Sequence, residues 1–154
     1  MSFLQFLRER GITERPGSGT RPLVIAHRGY SAVVPENSLA AVDAARALDV
    51  DFIEVDASTS ADGVPVILHD PDLDRTTNRK GPVVKLTAEE LSFVDAGSWM
   101  GPGFMGIRIP TLAAVMRDIQ HRGGELLLEL KGEWSPGAVA RISELVVETG
   151  TADR

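Results

Sequence analysis

His27, Arg28, Glu54, Asp56, His69, Glu129 and Lys131 have the types and spacing for one kind of chemistry. Each follows or closes a short apolar run. Leu23-Val24-Ile25-Ala26 leads into His27 and Arg28, Asp51-Phe52-Ile53 into Glu54 and Asp56, Val64 to Leu68 into His69, and the run from Glu125 into Glu129 and Lys131. Burying a charge costs several kcal/mol unless it is paired or bound to a metal. In an α/β barrel, strand C-termini are where active sites are built. Three carboxylates, Glu54, Asp56 and Glu129, can hold one hard divalent cation through oxygen. Arg28, with a planar fork, and Lys131, a point charge, can neutralise a phosphate. His27 and His69 have the intrinsic basicity to trade protons near neutrality. A cation site, two fixed positive charges and a histidine pair together suit cleavage of a phosphodiester.

These side chains meet only if strands and helices alternate. The pattern predicts strands over 22–26, 51–58, 64–69 and 125–130, with the first and second read as buried. Asn37 or Ser38 caps a helix reaching about Leu48, with Leu39, Val42 and Ala45 on one face. Thr87-Ala88-Glu89-Glu90 is a capping box, with Leu86 and Leu91 as its staple. Thr111 starts a helix whose core face is Leu112, Val115, Met116 and Ile119 and which ends at Gly123. Ser135-Pro136 opens a last helix with Val139, Ile142, Leu145 and Val146 as its stripe and Gly150 as its stop. Asp62-Gly63 reads as a two-residue hairpin turn. Ala61 then pairs with Val64, and Asp56 lies opposite His69. Strand alternation puts Glu54 with Asp56 and Glu129 with Lys131 on common faces. Alternating strands and helices argue for a parallel-sheet α/β protein.

Composition narrows the field. The chain has 154 residues, 43% of them hydrophobic, enough for one globular domain with a core. A net charge of −6 gives nucleic-acid binding no electrostatic support. Without cysteine there are no disulfides or thiolate metal sites, so any metal is held by oxygen or imidazole, which favours Mg²⁺ or Ca²⁺. Residues 1–20 read as a short amphipathic leader and linker, with Pro16, Gly17 and Gly19 in the connector, and 21–154 as one domain. The leader is too short for a signal-peptide core and nothing is long enough to cross a bilayer, so a cytoplasmic location without stable membrane insertion is expected.

The ordered set His27-Arg28-Gly29, Pro35-Glu36-Asn37, Glu54-Val55-Asp56, Asp62-Gly63, His69-Asp70 and Glu129-Leu130-Lys131 resembles the glycerophosphodiester phosphodiesterase family. The resemblance implies a TIM-type (β/α) barrel of the phospholipase-C-like phosphodiesterase kind. It implies hydrolysis of small glycerophosphodiesters to an alcohol and glycerol 3-phosphate. It also implies one Ca²⁺ or Mg²⁺ on Glu54, Asp56 and Glu129, acid–base roles for His27 and His69, and phosphate contacts from Arg28 and Lys131. A complete barrel takes roughly 250 residues, so this chain is expected to hold about half of one. The expectation is either a fragment or a sheet closed by a second copy, since an open sheet edge invites association.

Two other functions stay open on the sequence: a non-catalytic fragment or interaction module that needs a partner, and a phospholipase-like phosphodiesterase acting on inositol or sphingoid lipids. A Mg²⁺-dependent enolising barrel ranks last, having no need of two histidines. His121-Arg122-Gly123 repeats the tripeptide of His27-Arg28-Gly29 but sits at a helix C-terminus, where basic residues and glycine are expected for capping. It reads as structural. Asp72 and Asp74 read as a solvated turn, Asp43, Arg46 and Arg117 as solvated helix faces. Glu36-Asn37 reads as positioning its loop with some contact to the site. Trp99, Phe104 and Met105 suit either a substrate mouth or a packed lid.

Overall fold

The structure, a computed structural model, describes residues 21–154; the expected leader and linker over 1–20 lie outside the described residues. One sheet is organised around β2 (Phe52–Thr59), with β1 (Ile25–Ala26) and β4 (Leu126–Leu130) parallel to it and β3 (Pro65–Ile67) antiparallel. Alternating peptide directions assign the neighbours. Phe52 N donates to Val24 O, Glu54 O accepts from Gly29 N, and Asp56 O accepts from Leu68 N, so one edge of β2 serves β1 and then β3. Ile53 N donates to Glu125 O and Ala57 O accepts from Lys131 N, so the other edge serves β4. Paired along both edges, β2 is buried from Phe52 to Ser58.

Helices α1 (Leu39–Arg46), α3 (Leu112–Arg122) and α4 (Pro136–Thr149) supply the main core, and the short α2 (Ala88–Ser92) anchors the segment between β3 and α3. Ile53, Val55 and Ala57 pack with Val42, Ala45, Leu112, Val115, Met116, Ile119 and Leu145. Burying an aliphatic side chain of this size contributes about 1.5–3 kcal/mol. Because successive strand residues face opposite ways, the same packing sends Glu54, Asp56 and Ser58 to the other face. A second cluster, Val66, Leu68, Leu73, Val83, Leu91, Val94, Ala96 and Ile109, is formed by β3 and the segment that follows it. The caps follow the sequence. Ser38, Thr111 and Ser135 accept from Ala41 N, Ala114 N and Ala138 N, the Thr87–Glu90 box forms with both bonds, and Gly123 and Gly150 close α3 and α4.

Four expectations are corrected. The first strand is not buried: Leu23, Val24 and Ile25 are 40–50% exposed, because β1 is an edge strand with no further neighbour among the described residues. The hairpin loop has three residues, not two. Ser60 N bonds Val64 O and Gly63 N bonds Ser60 O, and Ala57 faces Ile67. This moves the register by one, so Leu68, not His69, bonds to Asp56. Leu39 and Val139 are exposed; α1 meets the sheet through Ala41, Val42 and Ala45, and α4 docks through Ala138 and Leu145. Arg46 is no solvated residue either. It pairs with Asp43 at 2.5 Å and with Asp118, and donates to Gly123 O at 2.8 Å, tying α1 to the end of α3.

No helix among the described residues is long and apolar enough to cross a membrane.

Candidate functional site

The face of the sheet turned away from the helices carries the charges. Parallel register places Asp56 of β2 opposite Glu129 of β4, with Glu54 two residues back on the same face. One carboxylate oxygen from each of Glu54, Asp56 and Glu129 lies within 4.8 Å of the others. Two oxygens bound to one Ca²⁺ at roughly 2.3–2.6 Å are at most about 5 Å apart, so the spacing fits a single ion. Glu54 and Asp56 are buried, and Glu54 Oε1 and Asp56 Oδ1 accept no hydrogen bond. An unsatisfied buried oxygen costs about 1–3 kcal/mol or more when charged. All-oxygen donors with unused buried lone pairs are what a hard divalent cation requires. Burial, aided by the Asp56 and Glu129 charges and opposed by a bond from Arg28 N, pushes the Glu54 carboxyl above its ordinary pKa.

The turn after β1 reaches this cluster through its backbone. Arg28 and Gly29 both adopt positive φ, 58° and 72°. That turn aims Arg28 N at Glu54 Oε2, 2.6 Å away, and Gly29 N at Glu54 O. Only glycine fits next, since a Cβ at position 29 would sit 2.6 Å from the Ala41 carbonyl carbon and Cβ. The His27 side chain is exposed, and its charge acts on the Glu54 carboxyl.

The two cations are drawn in by the same carboxylates. Arg28 Nη1 donates to Glu36 Oε1 at 2.9 Å, and its Nε lies 3.3 Å from Asp56 Oδ2. Lys131 Nζ bonds Glu129 Oε1 at 2.5 Å and stands 3.3 Å from Asp56 Oδ1, at ion-pair distance only. Glu129, foremost, holds the Lys131 ammonium above its ordinary pKa. His69 lies past the end of β3, with Nδ1 2.6 Å from Asp70 Oδ1.

Asn37 and Glu36, read as positioning their loop with some contact to the site, do reach it, and Arg75 is a residue the sequence reading missed. Asn37 clasps Asp56 from both sides: its Nδ2 donates to Asp56 Oδ2 at 2.8 Å, and its Oδ1 accepts from Asp56 N at 3.1 Å. It does so from a left-handed backbone, φ 55°, which asparagine tolerates better than most residues. Capping of α1 falls to Ser38, so the Asn-Ser pair held a spare polar residue as its signal. Arg75 joins Asp70 to Glu36, and Glu36 in turn joins Arg75 to Arg28. The sequence signal for Arg75 was faint, one cation in a turn-rich stretch.

His121-Arg122 and the turn at Asp72 and Asp74 lie as read. His121 and Arg122 lie in the last turn of α3. Asp72 and Asp74 accept from backbone N–H groups of Asp74 and Gly81 within their turn. Trp99 Nε1 donates to Ala96 O, while Trp99 and Met105 remain substantially exposed.

Residues 27–150 match the model of the glycerophosphoryl diester phosphodiesterase family. The chain is 50% identical over 109 residues to the Bacillus subtilis protein YhdW, covering 71% of this chain and 44% of that one. It is 45% identical over 111 residues to a glycerophosphodiester phosphodiesterase of Caldanaerobacter subterraneus subsp. tengcongensis, covering 72% and 46% respectively. Its fold matches an Oleispira antarctica phosphodiesterase solved with the product sn-glycerol-3-phosphate, at a TM-score of 0.76, 39% identity, and coverage of 83% of this chain and 53% of that one. The chain thus spans less than half the length of these two curated relatives. The sheet and outer helices described above are the corresponding part of a TIM-type barrel.

Proposed function

The chain belongs to the glycerophosphoryl diester phosphodiesterase family, and on that premise we propose that its residues carry out metal-dependent hydrolysis of small glycerophosphodiesters to an alcohol and glycerol 3-phosphate. The observation that carries this reading is the cluster of Glu54, Asp56 and Glu129, with two buried oxygens left without hydrogen bonds. These three carboxylates would hold the Ca²⁺ or Mg²⁺. When bound, the ion supplies Lewis-acid stabilisation of negative charge on phosphoryl oxygen.

Arg28 and Lys131 stand beside the cluster, each at ion-pair distance from Asp56. A phosphate arriving there would compete with the carboxylates for both, and their charge would offset its own. His27 and His69 are the acid–base pair. In a first displacement one imidazole accepts the proton of a glycerol hydroxyl as its oxygen bonds to phosphorus. The other donates a proton to the departing alcohol as the P–O bond to it breaks. In the second, water adds to the resulting cyclic phosphate, one P–O bond of the ring opens, and the proton transfers run in reverse. The product bound to the Oleispira antarctica relative supports this substrate class.

The test is two measurements on the purified chain: calorimetric binding of Ca²⁺ and Mg²⁺, and turnover of glycerophosphocholine with divalent metal and then with chelator. Binding lost in Glu54→Gln, together with chelator-sensitive release of choline, is expected. Metal affinity unchanged in Glu54→Gln removes Glu54 from the ligand set, and turnover indifferent to chelator overturns the metal dependence.

A further inference from the structure

His69 is reached by a chain of charged contacts that begins at the carboxylate cluster. Asp56 Oδ2 lies 3.3 Å from Arg28 Nε, and Arg28 Nη1 donates to Glu36 Oε1 at 2.9 Å. Glu36 then accepts from both terminal nitrogens of Arg75, at 2.8 Å each. Arg75 turns its other edge to Asp70, with Nε 2.6 Å from Oδ2 and Nη2 3.1 Å from Oδ1. Asp70 Oδ1 closes the chain at 2.6 Å from His69 Nδ1.

The Arg75 guanidinium therefore uses all three of its nitrogens on two carboxylates. Its flat fork sets the plane and position of each, which a lysine could not do. From this geometry we propose that Arg75 is a positioning residue: by clamping Asp70, it keeps the carboxylate oxygen against His69 Nδ1 and fixes neutral His69 as the Nδ1–H tautomer, with Nε2 carrying the lone pair.

The hydrogen bond at one ring nitrogen decides which nitrogen carries the proton. An ionised carboxylate can only accept, so a contact from it to Nδ1 requires hydrogen there. Asp70 is ionised whenever His69 is neutral, since the Arg75 bonds, foremost, hold its carboxyl down to about 2. Glu36 is a fit partner for the far side of the fork. Burial would raise its carboxyl, but bonds from Arg75 and Arg28 outweigh that and hold it below the ordinary range. The same fork thus connects the His69 tautomer to Arg28 and, through it, to Asp56. What the tautomer is for rests on the acid–base reading of His69 given above; the tautomer itself does not.

The test is ¹⁵N NMR of the imidazole nitrogens in the metal-free chain at a pH where His69 is neutral, with His69 signals assigned by their loss in His69→Gln. The parent should show a pyrrole-type Nδ1 and a pyridine-type Nε2. Asp70→Ala and Arg75→Gln should each shift the ratio towards Nε2–H, and Arg75→Lys should restore little. His27 and His121 signals that stay put report an intact fold. An Nε2–H tautomer in the parent overturns the proposal. So does a ratio that moves in Asp70→Ala but not in Arg75→Gln, which would leave Asp70 acting unaided. The measurement needs neither metal nor substrate, so absent turnover would count against the proposed function and leave this result standing.

Discussion

Asp56 and Asp95 are both buried aspartates, 0% and 6% exposed, and their surroundings treat them in opposite ways. Asp95 is saturated by its own loop. Its Oδ1 accepts from Gly97 N at 2.9 Å and Ser98 N at 2.7 Å, and its Oδ2 accepts from Gly106 N at 2.7 Å. Those backbone bonds hold its carboxyl far below the ordinary range. Asp56 has Asn37 on Oδ2, while Oδ1 accepts no hydrogen bond, has Lys131 Nζ at ion-pair distance, 3.3 Å, and sits with two more carboxylates. A buried carboxylate supplied entirely by nearby N–H groups stabilises a turn. One with an oxygen to spare, in acidic company, is arranged for something from outside.

This contrast can be broken by exchanging the readouts. Asp56→Asn should lower divalent-metal affinity, measured by calorimetry, by more than the roughly 10–100-fold that losing a partner of a ligand costs. Asp95→Asn should leave that affinity unchanged; an equal loss there would erase the distinction. Asp95→Ala should instead cost about 2–3 kcal/mol of stability by urea denaturation, since it strands three backbone donors. Its pH dependence sharpens the point. The folded Asp95 pKa is depressed, so its contribution is present above the unfolded value of about 3.9 and is lost as pH falls through the folded one. The parent should therefore lose more stability on acidification than Asp95→Asn does. Asn37→Ala, which frees Asp56 on two sides, should weaken metal binding by roughly 10-fold. His121→Ala should change stability by less than about 0.5 kcal/mol and leave turnover alone.

Much of this was legible in the sequence where one local rule decides the outcome. Ser38, Thr111, Ser135 and the Thr87 box cap helices because hydroxyl and carboxylate groups satisfy the first free N–H groups, wherever the helix docks. Glu54 and Asp56 share a face because period-two alternation follows from their own apolar run, whereas Glu129 stands opposite Asp56 through the pairing of β2 with β4. The illegible parts depend on long-range partners. Nothing within residues 70–75 says that Arg75 will meet Glu36, which lies across the turn that follows β1. The exposure of Leu23 to Ile25 depends on which strands lie beside them, not on their own hydrophobicity. The hairpin failed for a smaller reason. Asp62-Gly63 is a turn signal in both two- and three-residue loops, and choosing the shorter one moved His69 opposite Asp56.

The close approach at Gly29 has a genetic consequence. Every single-nucleotide missense change in a glycine codon yields a residue with a Cβ, and at position 29 that atom meets the backbone and Cβ of Ala41 at 2.6 Å. Gly63 has a similar φ, 76°, but nothing within 4 Å of the added atom. In a saturation library scored for folding, codon 29 should therefore return glycine alone. Codon 63 should also return asparagine and aspartate, which occupy left-handed backbone at modest cost. Two glycines of nearly equal φ would then differ sharply in tolerance, with the neighbouring helix α1, not the turn, imposing the stricter selection.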